Sequence, residues 1–139
     1  MMRMKYKHPL NKNLIYPKLS YKLTGIFYKV HNNLGRFYKE RQYADAVEKL
    51  LKEEKLNYKR EYELSNLNNG SIKGNRVDFI VENKILIEIK AKKFITKEDY
   101  FQILRYLDAA SLKLGLIVNF RNTYLKPKRV LNSKLVSLA

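Results

Sequence analysis

The sequence predicts an α/β fold, and three observations carry the prediction. Residues 75–93, NRVDFIVENKILIEIKAKK, read as two apolar strands around a short turn. A capped amphipathic helix and then a near-continuous apolar run, LKLGLIVNF (112–120), come next. Strand, helix and buried strand in that order imply a right-handed crossover between parallel strands. At 139 residues the chain has room for one core and hardly for two.

Taken in order, residues 1–19 read as a basic, irregular arm in which Pro9 and Pro17 discourage a helix, leaving 20–139 as a single domain. From Ser20, the expected N-cap, Leu23, Ile26, Phe27, Val30 and Leu34 recur at helical spacing until Gly35 interrupts them. A second helix is expected from about Tyr38 to Lys55, with Tyr43, Ala46, Val47, Leu50 and Leu51 as its apolar stripe. Glu40 lies three residues before Tyr43 and seven before Val47, so the spacing sets it on that inward stripe. Tyr58–Leu64 alternates as a strand does, and SNLNNGSIKGN follows as a turn-rich segment. Thr96 and Asp99 form a capping-box start to a helix ending near Ala110, and the segment after Phe120, RNTYLKPKRVLNSK, reads as a basic tail.

The hairpin holds three residues that do not belong in an apolar sheet: Asp78, Glu88 and Lys90. Side chains alternate faces along a strand. If the turn is Glu82-Asn83-Lys84, then Val77, Phe79 and Val81 lie opposite Ile89, Ile87 and Ile85 and make one apolar face. Asn83 tolerates the left-handed conformation such turns commonly need. The same register sets Asp78 across from Glu88, with Lys90 two residues along and Ile80 and Leu86 beside them. Two facing carboxylates repel and raise each other's pKa unless a cation sits between them. Lys90 supplies part of that cation, and an oxygen-preferring divalent metal supplies more. A metal-dependent phosphodiester cleavage site is one reading of the triad; a salt-bridged face of an exposed hairpin is the other. Glu40 is a candidate third acid. Gln102 and Tyr106 share one face of the crossover helix at i and i+4, set apart from Ile103, Leu104 and Leu107.

Composition adds a partner class. The formal net charge is +16, residues 1–43 carry ten Lys/Arg against the single acid Glu40, and no acid follows Asp108. Such a surface favours polyanions, nucleic acid above all, although an AT-rich genome also enriches Lys, Asn, Ile and Tyr. Lys92, Lys93, Lys126, Lys128 and Arg129 are candidate nucleic-acid contacts, and Tyr124 a candidate base-stacking residue. His31 reads as structural. The absence of cysteine, of a signal peptide and of any ~20-residue apolar run suits a cytoplasmic protein with no membrane span.

VDFIVENKILIEIKA resembles the D…(D/E)-x-K core of the PD-(D/E)XK nucleases, and QILRY resembles their Gln-x-x-x-Tyr helix motif. YKLTGIFYKVHNNLGRFYKERQYADAV is similar to the opening helices of the GxxExxY family within that superfamily, and the likeness runs through LDAASLKLGLIVNF into KPKRV. The resemblance implies a restriction-endonuclease-like core, a mixed four-stranded sheet flanked by helices. It implies Asp78 and Glu88 as ligands of Mg²⁺ or Mn²⁺, Lys90 as catalytic lysine, Glu40 as the helix glutamate, and Gln102 and Tyr106 as an auxiliary pair. The family's name-giving Gly falls at Phe37, while Glu40 and Tyr43 stand. The implied activity is nuclease chemistry; DNA is the expected substrate ahead of RNA, a choice that the sequence itself leaves open. A nucleic-acid-binding module that keeps the fold without turnover, and a structural partner-binding protein, are the two rival expectations.

Overall fold

The structure, a computed structural model, describes residues 15–64 and 75–136. The basic arm up to residue 14 and most of the turn-rich segment after Leu64 lie outside the described residues. Helices α1 (Pro17–Leu34) and α2 (Glu40–Glu53) lead into strands β1 (Tyr58–Glu63), β2 (Arg76–Val81) and β3 (Ile85–Lys90). Helix α3 (Lys97–Ala110) crosses to β4 (Leu114–Asn119), and β5 (Lys128–Leu131) closes the order. The strands form one sheet in sequence order. It is mixed: β3 and β4 run parallel, every other neighbouring pair antiparallel.

Among the described residues the sheet has five strands where four were expected. The extra one, β5, comes from the segment read as a basic tail, where Lys and Arg mask a short alternation that buries Val130 fully. An edge strand rich in Lys and Arg resists pairing with other chains, so the same composition suits the position. A second correction concerns α1, which starts at Pro17 rather than at a Ser20 cap. Proline is tolerated at a first helical position, where its missing N–H has no partner in any case. Ser20 sits buried inside the helix with its hydroxyl donating to Pro17 O at 3.3 Å.

Two apolar layers flank the sheet. On one side Leu23, Phe27 and Val30 of α1 and Tyr43, Val47 and Leu51 of α2 pack on Phe79, Ile87, Ile89 and Val118. On the other, Ile103, Tyr106 and Leu107 of α3 cover Ile80, Leu86, Ile117 and Val130. The expected hairpin register holds, with Val81 opposite Ile85 and Phe79 opposite Ile87. Val77 does not share a face with Phe79, as alternation required; it packs in the α3 layer. The reason lies across the ladder, where Glu61 of β1 adopts a left-handed φ of 52° and the Glu61/Asp78 rung is missing from the pairing. Alternation breaks there.

The hairpin turn carries two left-handed residues, Glu82 (φ 56°) and Asn83 (φ 54°). Asn visits this region readily; Glu does so at a cost. Asn57, just before β1, offsets that cost: its N–H donates to Glu82 Oε2 at 2.7 Å, and its carbonyl accepts from Glu82 N at 2.8 Å.

At the end of β4 the fully buried Phe120 ring stacks on Tyr43 at 4.3 Å and meets Phe27 edge-on at 6.4 Å. This aromatic cluster ties both N-terminal helices to the parallel pair. Phe120→Ala is expected to lower unfolding free energy by about 3–5 kcal/mol, read from urea denaturation with an unchanged slope.

Candidate active site

The β2–β3 ladder ends at Phe79↔Ile87, one rung before the two carboxylates. Beyond that point side chains take over the hydrogen bonding. Asp78 N donates to Glu88 Oε1 at 3.0 Å, and Ile89 N donates to Asp78 Oδ2 at 2.6 Å. Each carboxylate thereby stands in for a backbone acceptor and is held at a defined position on the opening between the strands. Asp78 Oδ1 and Glu88 Oε2 have no protein donor among the described residues.

Burial sets the electrostatics. Glu88 is only 6% exposed, and loss of hydration, followed by the Asp78 charge, pushes its carboxyl from an ordinary 4.5 up to about 8. Asp78 is raised too, chiefly by burial; the Ile89 amide opposes the rise and the Glu40 charge adds to it. Lys90 favours the charged form of both. Its ammonium lies 3.7 Å from Asp99 Oδ1, while Lys92 Nζ sits 2.6 Å from Asp99 Oδ2. Burial works against ionisation of Asp99, but the Lys92 and Thr96 hydrogen bonds outweigh it and bring its pKa to about 2.

Asp99 therefore has two tasks. It closes the expected capping box, with its N–H bonded to Thr96 Oγ1 at 3.2 Å, and it holds Lys90 beside the carboxylates. Sequence reading assigned only the first; an acid opening the helix after an E-x-K strand is the signal that pointed to the second. Asn119 was also missed. Paired with Lys90 across the parallel ladder and 4% exposed, it accepts from Lys92 N at 3.1 Å and donates to Lys92 O at 2.7 Å.

Glu40 does not lie on an inward stripe. Helix α2 begins at Glu40, so its side chain projects from the open end of the helix and is exposed. It nonetheless reaches the site, accepting from Ala91 N at 3.2 Å. Among the described residues no three His, Cys, Asp or Glu side chains come together as a metal-binding group; Glu40 acts on Asp78 and Glu88 through its charge and shares a cavity with Asp78. The two remaining carboxylate oxygens form a hard donor pair of the kind Mg²⁺ or Mn²⁺ takes, with waters and substrate oxygens completing the shell.

Tyr106 is not set apart from the α3 stripe: it is 4% exposed and packs with Ile103 and Leu107, while Leu104 is half-buried. Burial, and then the Glu88 charge, raises its hydroxyl pKa. Gln102, one turn earlier, is half-buried and free of hydrogen bonds among the described residues. Phe37 is 75% exposed, with the guanidinium carbons of Arg36 and Arg121 at 5.0 and 5.5 Å from its ring centre. Those arginines bond each other's carbonyls at 2.8 and 3.1 Å, so the bulky residue at this position sits outside the fold and leaves the Glu40–Ala91 contact intact. His31 is structural, its Nε2 bonded to Asn122 O at 2.9 Å.

Of the candidate cationic contacts, Lys92 is paired with Asp99, and Lys93, Lys126 and Lys128 are exposed. Arg129 is turned inward: it donates to Ser20 Oγ at 2.9 Å and Ile15 O at 2.8 Å, and burial lowers its pKa. A cavity of about 310 Å³ opens beside Asp78, lined by Glu40, Arg41, Arg60 and Arg76. Arg60 is neutralised there by Asp45 and Glu48, both 2.8 Å from Nη1. No helix among the described residues is long and apolar enough to cross a membrane.

A family model described as the PD-(D/E)XK nuclease superfamily matches residues 17–130. Neither the curated proteins nor the solved structures contain a match to the chain.

The raised Glu88 carboxyl gives stability a pH dependence of defined sign. Between pH 4.5 and about 8 the folded protein keeps a proton that the unfolded chain has released, so this group's contribution to stability falls as pH rises. The slope is at most about 1.4 kcal/mol per pH unit. Unfolding curves for wild type and Glu88→Gln, taken in EDTA from pH 5 to 9, are expected to diverge with the variant gaining relative to wild type as pH rises. Parallel curves would show that Glu88 is ordinary.

Proposed function

The chain belongs to the PD-(D/E)XK nuclease superfamily, and from that premise we propose that it is a divalent-metal-dependent nuclease that hydrolyses phosphodiester bonds, with DNA as substrate. The observation that carries the reading is the pair of carboxylates at the end of the β2–β3 ladder, each fixed by a backbone amide and each keeping one oxygen free of donors among the described residues. Asp78 Oδ1 and Glu88 Oε2 would hold Mg²⁺ or Mn²⁺, whose chemistry when bound is to polarise a phosphoryl oxygen and acidify a water. The opening-helix residues Glu40 and Tyr43 support the narrower GxxExxY assignment.

The remaining work belongs to side chains. Burial disfavours an ionised Glu88 in the bare protein, so a cation that binds there displaces its proton. Lys90, steadied by Asp99, would donate to a non-bridging phosphoryl oxygen as negative charge builds there. Glu40, at the start of α2, fixes the Ala91 amide and so the exit of β3. Gln102, whose amide has no hydrogen bond among the described residues, would orient a water or a phosphate.

Incubation of purified protein with labelled DNA and RNA, in Mg²⁺, Mn²⁺ or EDTA, tests the reading. Cleavage is expected with metal and not with EDTA. Metal should also stabilise the wild-type fold by about 2.7 kcal/mol at a hundredfold excess over Kd. Glu88→Gln should lose both the metal shift and cleavage. Lys90→Ala should keep much of the shift while kcat falls, because its contribution lies in the transition state. A Glu88→Gln protein that cuts like wild type sinks the assignment. Binding without cleavage under any metal leaves a nucleic-acid-binding module on a nuclease fold.

A further inference from the structure

A second cavity, of about 340 Å³, lies at the β4–β5 end of the sheet, whereas the arginine-lined one lies along β1 and β2. It sits between the loop after β3, which supplies Lys93, Phe94 and Ile95, and the segment after β4, which supplies Asn122, Lys126 and Lys128. Ile117 and Asn119 of β4 form its floor, and in the parallel ladder these are the partners of Glu88 and Lys90. The cavity therefore opens toward the carboxyl ends of the parallel strands, where α/β sheets commonly take their ligands, on the strand next to Glu88 and Lys90.

Charge separates the two cavities. The arginines near Asp78 are answered by acids: Arg60 by Asp45 and Glu48, Arg76 by Glu61 at 3.5 Å. Lys93, Lys126 and Lys128 have no carboxylate partner among the described residues. Three unanswered ammonium groups around one cleft favour a polyanion. The loop bearing Lys93 and Phe94 is also pinned, because Asn119 binds Lys92 through both its N–H and its carbonyl. Phe94 is left 75% exposed on that pinned loop, and Tyr124 is 86% exposed on the opposite one. Cationic groove and exposed aromatic together are how proteins hold unpaired nucleotides, whose base faces are open for stacking; in a duplex those faces are already stacked on each other.

We propose that this cleft holds an unpaired segment of the substrate strand, its phosphates against Lys93, Lys126 and Lys128 and a base against Phe94. The site then acts on single-stranded nucleic acid or on duplexes carrying an unpaired flank. The proposal rests on the nuclease reading for its link to cleavage, but the cleft's ligand can be tested apart from it.

Fluorescence anisotropy in EDTA, with labelled oligothymidylate and a blunt duplex of the same length, reads binding alone. Phe94→Ala is expected to weaken single-strand binding roughly 5- to 150-fold, the equivalent of ~1–3 kcal/mol for one stacked base, and to leave the blunt duplex unaffected. Phe94→Tyr, which keeps a ring, should restore it. Lys126→Ala/Lys128→Ala should lower the salt slope on the single strand by up to about 0.7 per lost contact, and more than Lys29→Ala/Lys49→Ala on the outer helices. Unchanged single-strand affinity in Phe94→Ala, or an equal loss on the blunt duplex, overturns the proposal. In Mg²⁺, blunt duplex cut as fast as single strand also overturns it while the nuclease reading stands. No cleavage of any substrate, with Phe94-dependent single-strand binding intact, overturns the nuclease reading and leaves the cleft's ligand in place.

Discussion

Two hydrogen bonds organise this molecule: Asp78 N to Glu88 Oε1 and Ile89 N to Asp78 Oδ2. A sheet normally satisfies its buried amides with carbonyls of the neighbouring strand. Here β2 and β3 part at the last rung, and carboxylates fill the vacated acceptor positions. Ladder geometry thus places two acids where they would otherwise repel each other apart, and it does so without using all their oxygens. Everything nearby answers that arrangement. Lys90 supplies positive charge from two residues further along β3, Asp99 steadies Lys90 from the start of α3, and Glu61 leaves the β1–β2 ladder at the level of Asp78.

Much of this was legible because period-2 alternation and burial together admit one register. Val81 against Ile85 follows from the apolar triplets and a three-residue turn, and the Asp78/Glu88 juxtaposition follows from that pairing. The capped start of α3 and the parallel β3–β4 pair were readable for the same kind of reason, one strong local signal each. What escaped depended on tertiary partners. Val77 changes face because a residue on another strand has an unusual φ. Glu40 falls outside the stripe because α2 starts at that residue and not two earlier, which periodicity cannot decide. Arg129 looks like its basic neighbours in sequence, but its partners are Ser20 and Ile15 at the far end of the chain.

The net charge of +16 is better understood as two populations than as one field. One is structural. Arg36 and Arg121 bind each other's carbonyls, Arg60 bridges to Asp45 and Glu48 on α2, and Arg129 ties α1 to β5. Guanidinium suits this use, since its fork of donors can serve several acceptors at once. The other is lysine, whose flexible stem and single charged head are better matched to a mobile, repeating ligand than to a fixed contact. The sequence makes the division visible only after the arginines have been placed.

The turn that joins β2 to β3 makes the acidic pair depend on a third strand. With Glu82 and Asn83 both left-handed, the connection is not self-sufficient, and its strain is offset by Asn57, some twenty-five positions upstream. The register that sets Asp78 against Glu88 is thus held by β1, β2 and β3 together and not by the turn alone. Loosening β1 therefore reaches the carboxylates through the turn, at a distance from either of them.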